Sequence, residues 1–399
     1  MTKIVERDGN EIFRCGSACV NGYRESMEDA HLSFMRSTWG FFGVFDGHVN
    51  DQCSEYLEHA FRQQLQSDPV PMSDERMKEM ALKIDADWMA TGKEGGSTGT
   101  FFLATKSGNV VSLQVGNVGD SRVLLCKDGE CVPLTEDHKP QNDTERRRIE
   151  QCGGRVENNR VDGSLAVSRA FGDRDYKTGT GDQLSQKVIA LADITHNTAK
   201  FNSKDFALLC CDGVFESNFT NEEVVAFVKR ELESSQDLGV VAGKVCDEAV
   251  VRGSRDNISC VIVQFRNGQD YAVGKHLDVV PGPFACPRHS GFRRVYALMA
   301  AKGKTKVETL LEKRYDTLQA TNPKTTDIIE ELESFGTAPP KPGPERTAWF
   351  EKWFSDLQGS QSLSSSHVDR LQFLQQQVGV PLPILLSLMN SSAEQQDAS

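Results

Sequence analysis

Short apolar runs separated by Gly-, Asn- and Asp-rich turns fill the first two-thirds of the chain, with a few amphipathic stretches between them. The apolar runs have strand length and are rich in Val, Phe, Leu and Ile, whereas the amphipathic stretches repeat at helical spacing. The pattern predicts strands at 40–45, 97–105, 109–116, 121–126, 187–194, 205–211 and 257–265. It predicts helices at 51–66, 73–91 and 143–152, and two more after residue 219.

The order of these elements indicates the fold class. Strands cluster early, helices intervene in pairs, and strands then return. A doubly wound parallel sheet would instead alternate strands and helices regularly. We therefore predict an α+β fold of layered sheets and helices.

The chain after residue 270 has a helical pattern throughout. Residues 338–344 form a proline-rich, stiff connector, and the Gln/Ser-rich tail at 391–399 has the composition of a disordered segment. We predict a mixed domain at 1–270 followed by an all-helical appendage at 271–390. The helices predicted for this region are 292–301, 305–320, 325–335, 345–358, 366–377 and 383–390.

Four aromatic side chains lie close together in the appendage, at Trp349, Phe350, Trp353 and Phe354. Because such a cluster is unfavourable in water, we expect it to pack against another surface. The favoured interpretation is a helical pack that covers part of the first domain. The alternative is a regulatory element that docks a regulator or another subunit.

Aspartates stand at the ends of three strongly apolar runs. The run at 41–45 ends in Asp46-Gly47-His48, and the run at 206–211 ends in Asp212-Gly213. A third run, 258–265, begins after Asp256. Each Asp-Gly pair taken alone is more typical of a turn than of a ligand. Three aspartates at the ends of buried strands are harder to explain in this way, because an unpaired buried carboxylate is unfavourable.

These acids converge if the third strand runs antiparallel to the other two, because its start then lies at the sheet edge where they end. Carboxylates brought together repel one another unless a cation lies between them. Ligation by oxygen alone favours Mg²⁺ or Mn²⁺ over zinc. The strand pattern thus predicts a site for a hard divalent metal and leaves the reaction open.

A polar cluster from Arg24 to His31 precedes another short strand. It is either a solvated loop with local ion pairs or part of a site. In the second case Arg24 provides a planar fork for phosphate oxygens, while Glu28 and Asp29 support metal-bound water.

Composition narrows the class of partner and compartment. The net charge of −12 and a pI of about 5.3 argue against nucleic acid or an anionic membrane as a partner. No apolar run reaches the length of a membrane span, and the N-terminus lacks the apolar stretch of a secretory signal. Eleven scattered cysteines are typical of reduced thiols, so we expect a cytoplasmic or nuclear protein without a disulfide framework.

An ordered series of motifs resembles the metal-dependent serine/threonine protein phosphatases of type 2C, across roughly residues 11–266. The number of matches in order makes the resemblance specific. The motifs are Arg24-Glu25-Ser26-Met27-Glu28-Asp29-Ala30-His31, Val44-Phe45-Asp46-Gly47-His48, Gly96-Ser97-Thr98, Gly116-Asn117-Val118-Gly119-Asp120-Ser121-Arg122, Asp137-His138-Lys139-Pro140, Gly163 to Asp173, Asp212-Gly213-Val214-Phe215-Glu216 and Gly253-Ser254-Arg255-Asp256-Asn257.

The resemblance implies a four-layer α-β-β-α sandwich of two antiparallel sheets flanked by helices, with the helical extension behind it. It implies that Asp46 bridges two Mn²⁺ or Mg²⁺ ions and that the Gly47 carbonyl binds one of them. Asp212 and Asp256 would complete the other site. In the same way, Glu28 and Asp29 would hold or orient metal-bound waters, and Asp120 with Glu216 would form a weaker third position.

The implied activity is hydrolysis of phosphoserine and phosphothreonine in signalling phosphoproteins. A hydroxide bridging the two metals would attack phosphorus without a covalent intermediate. Arg24 would bind the phosphate, and His48 would protonate the leaving oxygen. The chain departs from the family pattern at Glu216, where Asp is usual, and at Phe215, where Trp is common. Residues 172–187 match the family's variable flap.

Three other functions fit the sequence less well. A pseudophosphatase would lack a metal acid or the arginine, and none is missing. A two-metal nuclease or phosphodiesterase would show a basic surface with aromatic stacking residues, which the net charge of −12 does not support. A kinase is suggested only by Gly303-Lys304-Thr305, but Leu298 occupies the first glycine position of a P-loop and no strand precedes it. We interpret that segment as a helix break.

Overall fold

The computed structural model describes residues 1–179, 181–272, 277–283 and 290–359. The chain forms two compact units, one of them Val5–Asp278 and the other Met1–Ile4 together with the chain from Val279 onward. The helices predicted at 366–377 and 383–390 and the tail at 391–399 lie outside the described residues.

Two antiparallel sheets form the centre of the larger unit. In spatial order, the first sheet contains β8-β7-β10-β11-β2-β1 and the second contains β9-β6-β5-β4-β3. The strands are β1 (Lys3–Gly9), β2 (Arg14–Val20), β3 (Ala30–Met35), β4 (Trp39–Phe45), β5 (Gly99–Ser107), β6 (Val110–Val118), β7 (Arg122–Lys127), β8 (Glu130–Pro133), β9 (Asp193–Ala199), β10 (Phe206–Cys210) and β11 (Ile258–Gln264).

The apolar strand β4 shows how the layers are held together. Successive side chains of a strand point to opposite faces. Phe42 and Val44 therefore share one buried cluster with residues of the first sheet, such as Val261. Phe41 and Phe45 point the other way and share a second buried cluster with the helices on that side. A strand buried on both faces explains the nearly continuous apolar run in the sequence.

Helices cover the outer faces of both sheets. α1 and α2 pack on the second sheet, whereas α4 and α5 pack on the first. The approach of α5 to β2 is close, because a Cβ added at Gly16 would lie 2.2 Å from the Gly239 nitrogen. The helices of this unit are α1 (Gln52–Ser67), α2 (Asp74–Ala90), α3 (Asp143–Gln151), α4 (Asn221–Ser234), α5 (Leu238–Val251) and the short α6 (Gln269–Ala272).

The predicted fold class is confirmed: antiparallel sheets are flanked by helices, and further helices follow at the C-terminal end. The strand predicted at 187–194 is wrong, because β9 begins only at Asp193. The apolar residues Val188, Ala190 and Ala192 are buried through side-chain packing and not through a strand ladder. β9 itself is polar and largely exposed, so hydrophobicity gives no indication of it.

The sequence pattern also missed β1 and β2. β1 is mostly polar, and β2 is built of small residues such as Gly16, Ser17 and Ala18. Small side chains let α5 approach closely but give little hydrophobic signal. These two strands were therefore not separable from loops by composition.

Among its described residues, the smaller unit contains most of the strand β12 (Asp278–Val280) and four helices. Phe350 is fully buried, and its ring contacts Tyr315, Phe335 and Trp349. The aromatic cluster noted in the sequence thus packs, at least through Phe350, inside this unit. The helices are α7 (Ser290–Lys302), α8 (Val307–Ala320), α9 (Thr326–Glu333) and α10 (Pro344–Gly359).

The Gly303-Lys304-Thr305 segment follows the last turn of α7. The amides of Gly303 and Thr305 donate to the carbonyls of Met299 and Ala300, and Lys304 has a positive φ of 50°. This is the end of a helix, in agreement with the helix break inferred from the sequence.

Candidate metal centre

Antiparallel pairing brings the acidic strand ends together. β10 pairs with β11 so that Cys210 lies opposite Cys260, which places Asp212 and Asp256 at the same edge of the first sheet. Asp46 follows β4, which belongs to the second sheet. The expectation that all three strands share one sheet edge is therefore wrong, and the acids meet instead at one end of the two facing sheets.

A cavity of about 290 Å³ opens at this end of the larger unit. Predicted site residues from five separate segments line it. They are Arg24, Glu28, Asp46, Gly47, His48, Asp120, Asp212 and Asp256. Of the other two predicted residues, Asp29 is buried beside Asp46, and Glu216 is exposed and close enough to Asp212 and Arg24 for its charge to affect both.

The clustered carboxylates alter one another's charge. Burial raises the pKa of Asp46 well above its usual value, and the charges of Asp29, Asp212, Asp120 and Asp256 raise it further. Burial and then the Asp120 charge raise the pKa of Asp212 to about 8. The protein alone thus holds these acids in an unfavourable arrangement, which a bound cation would relieve.

The donor set fits a hard divalent metal. Ligand atoms of Asp29, Asp46 and Cys211 lie within 4.8 Å of one another. The thiol of Cys211 is already engaged with backbone, because Sγ donates to the Asn257 carbonyl at 3.4 Å and accepts from the Ser259 amide at 3.1 Å. Carboxylate oxygens are left as the donors, and these suit Mg²⁺ or Mn²⁺.

The backbone around Asp46 and Gly47 is fixed from two sides. The Thr98 amide donates to the Asp46 carbonyl at 2.9 Å, and the Asp46 amide donates to Thr98 Oγ1 at 3.3 Å. A Cβ at Gly47 would lie 2.4 Å from the Glu28 carbonyl oxygen, so any larger residue would displace this segment. The Gly47 carbonyl therefore has a defined position beside the cavity.

Asn257 joins the N-terminal loop to the start of β11. Its side-chain amide donates to the carbonyls of Asn21 and Ser26, both at 2.9 Å, and its Oδ1 accepts from the Glu28 amide at 2.7 Å. Asp29 is held by Ser259, whose hydroxyl donates to Oδ2 at 2.7 Å. These contacts place Glu28 and Asp29 beside the acids of the first sheet.

Arg24 reaches the same site from the loop. Its Nη2 donates to Asp256 Oδ2 at 2.7 Å, while more than half of its side chain is exposed. The guanidinium therefore lies at the mouth of the cavity, with donors available to an incoming anion.

His48 is oriented by an acid from a distant segment. Its Nε2 lies 2.7 and 2.8 Å from the two carboxylate oxygens of Asp173. Burial alone would lower the pKa of His48, but the charge of Asp173 and its hydrogen bond outweigh burial and raise it. The arrangement favours a protonated imidazolium beside the cavity.

Asp120 and Glu216 differ in their environments. Asp120 is buried and pairs with the Lys139 ammonium, whereas Glu216 is exposed and only accepts a 3.4 Å hydrogen bond from Ser254. The two side chains both influence the charge of Asp212. Asp120 is thus held by a charged partner, whereas Glu216 is held weakly.

Four supporting residues received no role from the sequence: Thr98, Lys139, Asp173 and Asn257. All four stand in the motifs that carry the family resemblance. Their position in these motifs was therefore the signal in the sequence that could have identified them. Their roles depend on contacts across the fold, which spacing along the chain does not show.

The ten cysteines in the described part of the chain are all free thiols. Among the same residues, no helix has the length and apolar character needed to cross a bilayer.

Comparison with known proteins places this cavity in context. The family model described as Protein phosphatase 2C matches residues 13–258. Protein phosphatase 1B of Mus musculus is 34% identical over 305 residues, covering 68% of this chain and 77% of the relative. Protein phosphatase 1A of Homo sapiens is 35% identical over 280 residues, covering 65% of this chain and 72% of the relative.

The fold is found among solved structures as well. A phosphatase from a pathogenic strain of Toxoplasma gondii superposes with a TM-score of 0.62 at 28% identity, covering 70% of this chain and 98% of that one. The matched part of the present chain therefore corresponds to nearly all of that phosphatase.

Proposed function

Since this chain belongs to the protein phosphatase 2C family and is a protein serine/threonine phosphatase, we propose that the cavity at the end of the two sheets is its active site. The observation that carries the proposal is the convergence of Asp46, Asp212 and Asp256 from two sheets on one cavity. Its substrates are phosphoserine and phosphothreonine in proteins.

Two Mn²⁺ or Mg²⁺ ions fit the donor set. Asp46 would bridge them, the Gly47 carbonyl would serve one, and Asp212 and Asp256 would serve the other. When bound, the ions supply a water of lowered pKa as the nucleophile, so no covalent intermediate with the protein is needed.

Supporting acids surround this pair. Glu28 and Asp29 would hold or orient metal-bound waters, and Asp120 with Glu216 would offer a third, weaker cation position. The rigid Asp120 anchors that position, and the exposed Glu216 completes it.

Arg24 and His48 act on the substrate. The exposed donors of Arg24 bind non-bridging phosphate oxygens through a planar fork, with Asp256 fixing the guanidinium from behind. His48 carries the proton that the seryl or threonyl oxygen needs when its bond to phosphorus breaks. Asp173 keeps the imidazole oriented for this transfer.

The test is phosphate release from a phosphothreonine peptide by the purified full-length chain. We expect release with Mn²⁺ or Mg²⁺, loss of release with EDTA, and recovery when the metal is restored. Asp46→Ala should be inactive under all of these conditions. Activity that persists in EDTA, or full activity of Asp46→Ala, would contradict the metal mechanism.

The remaining assignments complete the proposal. Residues 1–270 are the catalytic domain, and 271–390 are a helical appendage that docks a regulator or another subunit. The division of the chain into compact units at Asp278 supports such a boundary. Eleven cysteines without a disulfide pattern support a cytoplasmic or nuclear location.

A further inference from the structure

Val49 follows His48 directly and has an unusual backbone conformation. Its φ is 74°, in the left-handed region. The other non-glycine residues with positive φ in the described part of the chain are Asp, Asn or Lys304, which ends a helix. A β-branched residue in this region is a genuine outlier, because its side chain is crowded against the backbone.

Folding of the chain does not account for valine at this position. The residue is 71% exposed, so its side chain gains little from burial. The neighbouring Asn50 fixes the turn, because its Oδ1 accepts from the Gln52 amide at 3.0 Å. Glycine or asparagine would fit the backbone of this turn with less strain. Strain retained beside an active site points to a role in function.

The surroundings of Val49 indicate that role. Val49 lines the same cavity as the catalytic groups, together with Leu165 and Val167. Val167 is anchored in a buried cluster with Ile149 and Val161, and Leu165 packs against that cluster. An otherwise polar cavity therefore carries three aliphatic side chains, two of them packed on a buried cluster and one exposed.

We propose that Val49, with Leu165 and Val167, is a specificity determinant that selects an aliphatic side chain next to the phosphorylated residue. This inference rests on the proposed phosphatase activity of the same cavity. Arg24, His48 and Val49 line one cavity, so a phosphate held by Arg24 places the neighbouring residue of the substrate within reach of Val49. An aliphatic neighbour covers the exposed valine and gains burial, whereas a polar neighbour of equal size loses hydration without a partner.

The experiment compares two phosphothreonine peptides that differ only in Leu or Asn beside the phosphothreonine, tested at the preceding and at the following position. We expect the wild type to prefer Leu in kcat/KM by about fivefold at one of these positions, since the contact lies on an open rim. Val49→Asn keeps a residue that tolerates positive φ, and its ratio should fall to about one. Val251→Asn changes another highly exposed valine, at the end of α5, and should keep the wild-type ratio.

Thermal unfolding separates specificity from a structural role. Val49→Asn should melt at or above the wild-type temperature, because it relieves backbone strain. A lower melting temperature would make Val49 a structural residue and overturn the proposal. So would equal kcat/KM for the two peptides in the wild type, or a preference for Leu that survives in Val49→Asn.

Failure of the proposed activity is distinguishable from failure of this inference. If the wild type releases no phosphate from either peptide or from p-nitrophenyl phosphate with Mn²⁺, the proposed function is wrong. Binding of the same peptides carrying a non-hydrolysable phosphonate, followed by fluorescence anisotropy, then decides the role of Val49. A Leu over Asn preference that depends on Val49 supports the inference, and equal affinities overturn it.

Discussion

His48 Nε2 lies within 2.8 Å of both carboxylate oxygens of Asp173, although the two residues are far apart in the sequence. Asp173 itself has a positive φ of 57°, and the adjacent Gly172 amide donates to buried Asp85. Asp85 also pairs with Lys177 at 2.7 Å. A buried ion pair therefore fixes the turn that presents Asp173 to the histidine.

Asp173→Asn should separate two classes of substrate. Asparagine tolerates the left-handed backbone but holds the imidazolium less strongly. We expect kcat for a phosphothreonine peptide to fall by about 100-fold, because its leaving oxygen needs a proton. Turnover of p-nitrophenyl phosphate, whose leaving group departs without one, should fall much less. Steady-state kinetics with both substrates measures the difference.

Asp175→Asn is the matched control, since Asp175 is exposed on the same short helical turn. It should behave as the wild type with both substrates. Equal losses on the two substrates in Asp173→Asn would show that Asp173 does not act through His48.

Metal should stabilise the fold as well as support turnover. The carboxylates at the site repel one another, and burial raises the pKa of Asp46. A ligand at 100 times its Kd stabilises by about 2.7 kcal/mol. For a domain of this size we therefore expect Mn²⁺ to raise the wild-type melting temperature by about 5–10 °C. Differential scanning fluorimetry with Mn²⁺ and with EDTA measures the shift.

Asp46→Asn should weaken the stabilisation by Mn²⁺. In EDTA it should melt at or above the wild-type temperature, because one buried charge is removed. In Mn²⁺ it should show a clearly smaller shift than the wild type. Asp87→Asn, at an exposed ion pair on α2, serves as the control. A full Mn²⁺ shift in Asp46→Asn would exclude Asp46 as a ligand.

Glu216→Gln should have a mild effect. The side chain is exposed and is held only by a 3.4 Å hydrogen bond, so an ion there is bound weakly. We expect less than a tenfold loss of activity at saturating Mn²⁺ and a higher metal concentration for half-maximal activity. A metal titration of activity gives both values, with Glu222→Gln on α4 as the control. A loss above 100-fold would place Glu216 among the essential ligands.

Acid stability should depend on Glu145. Burial alone would raise the pKa of this carboxyl, but hydrogen bonds and charges from Arg169 and Arg148 outweigh burial and lower it to about 2. A carboxyl with a lowered pKa stabilises the fold at pH values above its ordinary pKa of 4.5. That contribution is lost as the pH falls through 2.

Glu145→Gln should therefore lower the free energy of unfolding at pH 7 by on the order of 3 kcal/mol. The difference from the wild type should shrink between about pH 5 and pH 2. Denaturant unfolding at several pH values measures it, with exposed Glu150→Gln on the same helix as the control. A difference that stays constant with pH would contradict this account.

Much of the cavity lining could be predicted from the sequence, because an acidic residue at the end of a buried strand usually requires a partner there. The apolar runs before Asp46 and Asp212 identified both the strands and their ends. The assignment of β4 to the other sheet could not be derived, because an apolar run buried on both faces looks the same in either sheet. The acids converge in both arrangements, so their convergence was predicted for partly the wrong reason.

Other features could not be predicted from the local pattern of apolar and polar residues. The pairing of His48 with Asp173 depends on two turns that meet only in the folded chain. The polar edge strand β9 has no apolar alternation, since most of it faces solvent. The residue type of Val49 gives no sign of strain, because the strain lies in its backbone φ angle.

The placement of the acids on two sheets also constrains when the enzyme can become active. β11 lies between β10 and β2, and its first residue pairs with Val20, near the start of the chain. During synthesis, β2 therefore cannot pair with β11 until almost the entire domain has been made. Asp256 stands just before the same strand, so an incomplete chain lacks both its central pairing and the last of the acids that line the cavity. The nascent protein would remain catalytically silent until the sandwich closes.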